Sequence, residues 1–289
     1  MSFKGTKINP ERFHKSQLKF YFFLIPLAIF MMLPLIFIFS NAFKPYNELF
    51  AFPPRIFVRN PTFQNFKMLF NAMTSSGIPV SRYLFNSFII SISVVFLSIF
   101  ISTMAGYVLS KKNFKLKKLI FEINTLALMF VPIAVSIPRY IIIAKLGLID
   151  NFLAHIFPTL AMPVGLFLVK QFIDQIPDSL IEAAKIDGAS DWFIYWKVIL
   201  PLTKPAVATV AILAFQTAWN STEASMIYIN NESLKNFAYY MSTLSGASGT
   251  IAGAGIAAAA AAIMFLPNLV IFIFTQSKVM NTMAHSGIK

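Results

Sequence analysis

Long apolar runs separated by short polar segments dominate the sequence. Residues 20–39 form the clearest run, because no charged side chain interrupts it. A bilayer core about 30 Å thick requires roughly 20 apolar residues in an α-helix. This run is longer than the apolar region of a signal peptide, which holds about 7 to 15 residues. It therefore predicts an uncleaved first membrane span, in which Pro26 and Pro34 are acceptable because membrane helices tolerate proline.

Five further apolar runs contain Ser, Thr, Gly and Asn, which is typical of membrane helices that pack on one another. They predict spans at 86–109, 119–143, 155–172, 206–228 and 253–274. The chain is therefore predicted to be an all-α membrane protein with six transmembrane helices. Its predicted parts are a tail (1–19), the first span (20–39), an outer loop (40–85), a five-span core (86–276) and a second tail (277–289).

The composition supports a membrane protein and excludes most classes of soluble enzyme. Of the 289 residues, 57% are hydrophobic and 12% are charged, whereas soluble domains contain about 25% charged residues. The chain contains no cysteine, which excludes disulfides and thiolate chemistry. Its three histidines lie far apart in the sequence and indicate no metal site.

The 24 basic and 11 acidic residues give a net charge of +13, and we interpret this excess as a topology signal. Short loops rich in Lys and Arg remain in the cytoplasm. Five basic residues precede the first span, and five more, from Lys111 to Lys118, follow the second. Both termini and the 171–205 loop are therefore predicted to be cytoplasmic. The Lys111 to Lys118 segment also suits anionic membrane lipid, and we expect no nucleic acid partner.

The 171–205 loop is polar but still has the pattern of two helices. Ser179 followed by Glu182 forms a capping box, which predicts a helix start at Ser179, and Gly188 is suited to closing that helix. Ser190 predicts the cap of a second helix, which we expect Pro201 to stop. This second helix carries four aromatic side chains. They indicate either a packed hairpin or a docking site, and the residues alone leave both open.

The same loop resembles the EAA loop of ABC importer permeases, and we call residues 171–205 the EAA loop. The resemblance rests on the order and spacing of Glu182, Ala183, Ala184, Asp187, Gly188, Ala189, Val198, Leu200 and Pro201. The family pattern usually has isoleucine where this chain has Val198. The resemblance implies a type I (MetI-like) permease fold, in which this loop is the coupling helix seated in a separate ATPase subunit. It assigns the ATPase contact to Glu182, Ala183, Ala184, Asp187 and Gly188.

Other segments are similar to the carbohydrate branch of these permeases, the maltose-type importers. They are the 145–151 stretch, Phe172 and Pro177, and the group Phe215, Gln216, Trp219 and Asn220. The chain departs from this branch at 221–223 and at its end, which lacks a final glycine. The resemblance implies a bacterial plasma membrane importer for a carbohydrate, such as an oligosaccharide. Its implied partners are a second homologous permease, two copies of an ATPase subunit that binds ATP and Mg, and an extracellular solute-binding protein.

Four polar or aromatic residues in the fifth predicted span are candidates for the substrate path. They are Gln216, Trp219, Asn220 and Glu223. Gln216, Asn220 and Glu223 have helical spacing that places them on one face, and polar groups at membrane depth line a cavity or pack against a neighbouring helix. Arg139 is predicted to lie near the outer surface. Gly249 and Gly253 have the spacing of close helix packing.

The sequence lacks the glycine-rich motif of a nucleotide-binding loop, and no Ser, His and Asp set indicates hydrolysis. We therefore expect no catalysis, no metal and no cofactor bound by this chain. Three alternatives remain open. The solute could be a polyamine or a phosphate ester, the chain could be an ion-coupled secondary transporter, or it could be a membrane scaffold.

Overall fold

The computed structural model describes residues 17–72, 77–247 and 251–285, and within these ranges the chain is helical without a β-strand. Side chains are described through 244 and over 253–275, except at 73–76 and 132. The all-α prediction is confirmed for the described residues. The chain divides into two compact units, Met1–Leu69 with Ala247–Ala262, and Phe70–Gly246 with Ile263–Lys289.

The first unit contains the first predicted span as one helix. Its N-terminal part holds α1 (Leu18–Phe43), α2 (Tyr46–Leu49) and the beginning of α3 (Gln64–Asn71). The end of α1 leaves backbone carbonyls without helical partners. The buried amide of Asn65 meets this need, because its Nδ2 donates to the carbonyls of Asn41, Ala42 and Lys44 at 3.2, 3.1 and 2.8 Å.

The second unit holds most of the remaining helices. They are α4 (Val80–Lys111), α5 (Lys117–Ala127), α6 (Ser136–Lys145), α7 (Phe157–Leu160), α8 (Pro163–Asp174), α9 (Asp178–Ile186), α10 (Asp191–Ile194), α11 (Leu200–Leu202), α12 (Lys204–Asn220), α13 (Glu223–Ile227) and α14 (Phe237–Ala247). The last helix, α15 (Ile251–His285), contributes to both units. Short 3-10 turns lie at Pro132–Val135, Phe152–His155 and Glu232–Leu234, and a π turn spans Tyr195–Ile199.

Helix α4 forms the centre of the second unit because both α8 and α12 pack on it. Its buried face mixes apolar side chains with small polar ones, including Ser91, Ser98 and Ser102. At Gly106 the approach to α8 is closest: a Cβ there would lie 2.8 Å from Val169 Cγ1 and 3.3 Å from the Lys170 backbone nitrogen. Small residues allow membrane helices to approach in this way.

Three segments are long and apolar enough to cross a membrane as single helices, namely Leu18–Phe43, Val80–Lys111 and Gly253–Thr275. Two bent pairs qualify as further spans: Phe152–Leu160 with Pro163–Asp174, bent by 43°, and Asp191–Leu202 with Lys204–Ile227, bent by 81°. The described part of the chain therefore has three clear spans, or five if each bent pair is counted as one.

The third predicted span is wrong as a continuous helix. The 119–143 segment divides into α5 and α6, with an extended residue, Val131, between them (φ −73°, ψ 131°). Val131 precedes Pro132, and the proline ring disfavours the helical conformation of the residue before it. The fourth span breaks for the same reason at Met162, which precedes Pro163.

We expect Gly106→Ala to weaken the packing of α4 on α8. The added methyl would meet a branched side chain and a backbone atom, which should cost about 1–3 kcal/mol. Thermal unfolding of the purified protein in detergent, followed by tryptophan fluorescence, measures the loss. The control is Gly165→Ala, whose methyl would meet the flexible side chain of Met162 at 3.3 Å and Ser102 Oγ at 3.1 Å. Equal losses in both variants would contradict the prediction.

Candidate functional site

The first helix of the EAA loop, α9, begins one residue earlier than predicted. Its N-cap is Pro177, which is extended (φ −60°, ψ 136°) and makes no side-chain cap hydrogen bond. The predicted capping box at Ser179 and Glu182 is therefore wrong, because Ser179 already lies within the first helical turn. Asp178 occupies that turn as well, where a negative charge interacts favourably with the helix dipole.

The turn between α9 and α10 confirms two predictions. Gly188 has a positive φ of 80°, and the adjacent amides close the helix, with Gly188 N donating to Lys185 O at 3.0 Å and Ala189 N to Ala184 O at 2.9 Å. The hydroxyl of Ser190 accepts from Phe193 N at 3.2 Å, as predicted for a cap.

The second helix does not stop at Pro201 as predicted. It passes through the π turn into α11 and ends at Leu202. In an α-helix, a proline ring collides with the carbonyl four residues earlier. The wider π turn directly before Pro201 relieves this contact. The chain then bends by 81° into α12.

The EAA loop has one buried face and one exposed face. Ile181, Ile194 and Tyr195 are buried in the core formed with α8 and α12. The residues assigned to the ATPase contact lie on the other side: Glu182, Ala183, Asp187 and Gly188 are exposed, and Ala184 is half-buried. Ile186 beside them is 87% exposed. Part of the loop's apolar surface therefore packs in the hairpin and part of it is exposed within the described structure, and docking of another protein stays a prediction.

Two lysines at the end of α4 hold the beginnings of both helices of the loop. Lys111 Nζ donates to Asp178 Oδ1 at 2.7 Å and to the carbonyl of Ile176 at 2.5 Å. Lys112 Nζ lies 2.5 Å from Asp191 Oδ1. The hydrogen bond and positive charge of Lys111 lower the pKa of Asp178, so the carboxylate of Asp178 remains charged at neutral pH.

Sequence reasoning missed this role for the lysines. It interpreted them as a topology signal and a lipid site, whereas the side chain of Lys111 is only 7% exposed. The sequence did contain a signal for these ion pairs. An acidic residue begins each helix of the loop, and the basic segment from Lys111 to Lys118 is predicted on the same side of the membrane.

A cavity of about 380 Å³ lies among the broken helices of the second unit. Polar side chains in its lining are those of Arg139, Thr159, Thr217, Ser221, Glu223 and Tyr228. Arg139 Nη1 contacts both carboxylate oxygens of Glu223, at 2.9 and 3.0 Å. The hydroxyl of Tyr228 donates to Glu223 Oε1 at 3.2 Å.

The structure brings only one of the four predicted path residues, Glu223, to this cavity. Trp219 is fully buried, its ring stacks on Phe215 with centroids 5.6 Å apart, and its Nε1 donates to Met264 O at 3.0 Å. Gln216 and Asn220 are exposed and do not line the cavity.

The expectation of one continuous helical face through Glu223 is wrong. Helix α12 ends at Asn220, Ser221 is extended (ψ 128°), and α13 begins at Glu223. The break is stabilised by Asn236, whose Nδ2 donates to the carbonyl of Ser221 at 2.6 Å.

Arg139 lines the cavity and pairs with Glu223, a contact that the sequence did not predict; its position near the outer surface stays a prediction. Charged side chains within spans are rare and commonly pair with one another. Arg139 and Glu223 are isolated charges in two different predicted spans, which marks each of them as in need of a partner but does not specify which one.

The remaining site predictions concern packing and metals. Gly249 lies outside the described residues, and Gly253 is half-buried in α15. Among the described residues, no group of three or more His, Asp or Glu side chains could hold a metal ion.

Comparison with known proteins identifies the family. The sequence model of the binding-protein-dependent transport system inner membrane component family matches residues 98–277, which is more than half of the chain. The chain belongs to this family of membrane permeases. The match includes the whole EAA loop, and the resemblance to ABC importer permeases is confirmed.

Individual relatives agree with this assignment. The arabinooligosaccharides transport system permease protein AraQ of Bacillus subtilis is 28% identical over 269 residues, which are 90% of this chain and 93% of AraQ. The sn-glycerol-3-phosphate transport system permease protein UgpE of Yersinia enterocolitica is 30% identical over 195 residues, or 67% of this chain and 69% of UgpE.

A solved structure shows that the permease fold is shared. It is the crystal structure of a bacterial ABC transporter involved in the import of the acidic polysaccharide alginate. One of its chains matches this permease with a TM-score of 0.76 and 21% identity, covering 92% of this chain and 98% of that chain.

The positive φ of Gly188 in the permease allows a graded test of the turn. A β-branched residue at this position is a conformational outlier, whereas asparagine tolerates the left-handed region. We expect Gly188→Val to destabilise the turn by about 1–3 kcal/mol and Gly188→Asn to cost clearly less. Hydrogen exchange of the Gly188 and Ala189 region, measured by mass spectrometry, reports the opening of the turn. Equal protection in the two variants would be inconsistent with the observed backbone.

Proposed function

We propose that this permease forms half of the translocation path of an ATP-driven importer and that its solute is a carbohydrate, such as an oligosaccharide. The observation that carries the proposal is the EAA loop. Its two capped helices are anchored on one face, while the opposite face presents Glu182, Ala183, Asp187 and Gly188 to solvent. Such a surface suits docking of another protein.

The proposed ATPase contact follows from the chemistry of this exposed face. Ala183 has a small side chain that permits close approach by a partner, and Glu182 and Asp187 can pair with basic groups. ATP and Mg bind in the ATPase subunits under this proposal, and this chain performs no catalysis and holds no cofactor. Closure of an ATPase dimer around ATP would push two coupling helices together, and rigid-body movement would turn the path outward.

We propose six spans with both termini in the cytoplasm. Three continuous helices and two bent pairs support five of them. The sixth is the pair α5 and α6, which is broken at Val131. The basic segment beginning at Lys111 supports a cytoplasmic position for the EAA loop, because it contacts that loop directly and because short basic loops stay inside.

One such chain supplies one wall of a path, so the proposal includes a second homologous permease and two ATPase copies. Exposed apolar side chains on α1 and α5, such as Phe22 (74%) and Ile123 (57%), provide surface for lipid or a second permease. The family description names dependence on a binding protein, which supports delivery of the solute from outside.

The cavity chemistry supports a solute that carries hydroxyl groups. Arg139 supplies hydrogen-bond donors, Glu223 supplies acceptors, and Tyr228 adds an aromatic ring next to them. Sugars present adjacent hydroxyls that can both donate and accept. The names of AraQ and of the alginate transporter support the same class of solute.

A phosphate ester is the second candidate. The match to UgpE favours it, and a guanidinium binds phosphate oxygens in a bidentate manner. In that case Arg139 would release Glu223 and bind the anion.

We expect Glu182→Ala to weaken the ATPase contact. Most of the binding energy of an interface is carried by a few residues, each of which costs about 2 kcal/mol or more when truncated. We expect Glu182 to be one of them, so uptake of labelled oligosaccharide should fall about tenfold or more and less ATPase should copurify. The matched control is Glu122→Ala, which removes another exposed glutamate, the partner of Lys118 at 3.8 Å. If Glu182→Ala retained wild-type uptake and wild-type copurification of the ATPase, Glu182 would not be part of the ATPase contact.

The Arg139–Glu223 pair is tested by separating stability from transport. Either single substitution, Arg139→Met or Glu223→Met, leaves one charge unpaired, which is costly. The double substitution removes both charges, so we expect it to recover thermal stability but not uptake of oligosaccharide or glycerol phosphate. Stability is read from unfolding in detergent and uptake from proteoliposomes. Full uptake in the double variant would show that the pair only packs helices.

A further inference from the structure

Helix α4 is attached to the EAA loop at three consecutive residues. Ser110 Oγ donates to Asp174 Oδ1 at 2.6 Å, Lys111 binds Asp178 and the carbonyl of Ile176, and Lys112 binds Asp191. Asp178 and Asp191 begin the two helices of the loop. The end of α4 therefore fixes both helices, although α4 is not adjacent to the loop in the sequence.

These contacts differ from ordinary surface ion pairs, which contribute little because both side chains are mobile and solvated. The side chain of Lys111 is 7% exposed and its ammonium group has two acceptors. The side chain of Lys112 is 31% exposed, and its ammonium group also lies 5.7 Å from the centre of the Tyr107 ring. The two lysine side chains are therefore partly shielded from solvent, while the side chains of their partners Asp178 and Asp191 are 72% and 58% exposed.

The opposite end of α4 is attached to the segment beside the cavity. Asn86 Nδ2 donates to the carbonyls of Ser233 and Lys235, both at 2.8 Å, and Ser87 Oγ accepts from Phe237 N at 2.8 Å. Asn86 and Ser87 are buried. This segment follows Tyr228, which lines the cavity and whose hydroxyl binds Glu223.

Helix α4 is the unbroken connection between these two ends. Its 32 residues contain no proline, and at 1.5 Å per residue they span about 48 Å. The helices that continue directly from the loop also reach the cavity, at Pro163 and Val164 of α8 and at Leu213, Ala214 and Thr217 of α12, but each is interrupted there. The span that contains α8 bends by 43° between Leu160 and Pro163, and α12 ends at Asn220, before the cavity residue Glu223.

We propose that α4 is the rod that carries movement of the EAA loop to the cavity, and that Lys111 and Lys112 are positioning residues that fasten the loop to this rod. The inference rests on the proposed function, since the movement originates in the ATPase. It assigns transmission to a helix distant from the loop in sequence, rather than only to the two helices that flank it.

The test uses the complete complex of this chain with its second permease and ATPase subunits in lipid nanodiscs. Because the chain has no cysteine, Ser221→Cys provides a single label site in this chain at the cavity lining, beyond the end of α12, and the partner subunits are made cysteine-free. The labelling rate with a membrane-impermeant maleimide is compared between the nucleotide-free complex and the complex trapped with ATP and vanadate. No transported solute is required.

We expect the rate in the Ser221→Cys background to change about tenfold or more on trapping, within the range of known coupling factors. Adding Lys111→Met and Lys112→Met should abolish this difference while the ATPase subunits still copurify and hydrolyse ATP. If the two lysines only stabilised the fold, their replacement would reduce ATP hydrolysis and the change in labelling rate together. The control Lys118→Met removes a lysine of the same basic segment that is 90% exposed, and should keep the full response.

Two further variants keep the test decisive if the methionine variant does not fold. The double variant Lys111→Arg with Lys112→Arg keeps both charges and should keep the response. Lys111→Asp alone should lose the response, and combining it with Asp178→Lys, which reverses the ion pair, should restore part of it. A full response in the methionine variant or in Lys111→Asp alone would overturn the inference. Absence of the ATPase from the wild-type complex would instead reject the proposed function, so the two failures are distinguishable.

Discussion

Helix α4 packs on α8 and α12 through small side chains, and the rest of the second unit depends on this close contact. Lipid tails are as apolar as the helices, so burial of apolar surface does not drive helices together in a bilayer, and packing and hydrogen bonds must do so. Gly106 lets α8 approach until Val169 and the backbone at Lys170 occupy the space of a side chain. Because the EAA loop joins α8 to α12, fixing both helices on α4 also fixes the position of the loop.

Two of the helix breaks lie at the cavity rather than against lipid. Backbone groups outside a helix are costly at membrane depth unless they face protein or a cavity. Pro163 and Ser221 lie at or next to two breaks and also line the 380 Å³ cavity, and Asn236 satisfies the carbonyl of Ser221. The polar pair Arg139 and Glu223 lies on that cavity as well. The interruptions that weaken the spans as continuous helices therefore create the polar site.

Features determined by local sequence were predictable, and features determined by pairing were not. The first span follows from its apolar run, and Gly188 and Ser190 follow from short-range backbone chemistry. The capping box failed because Pro177 already supplied an extended cap, so two local signals competed. The contact of Arg139 with Glu223 joins residues 84 positions apart, and no local pattern specifies which distant charges meet.

The combination of one continuous helix with broken neighbours has a mechanical meaning under the proposed function. Six continuous spans would form a stiff bundle whose cavity could change only by moving whole helices. Breaks at Met162 and Ser221 would supply the few residues that absorb changes in backbone angle during a hinge motion. Hinges alone would let the loop move without the cavity following. An unbroken α4, bound to the loop at Lys111 and to the 233–237 segment at Asn86, would remove that freedom, so that the hinges would bend only when both ends of α4 move together.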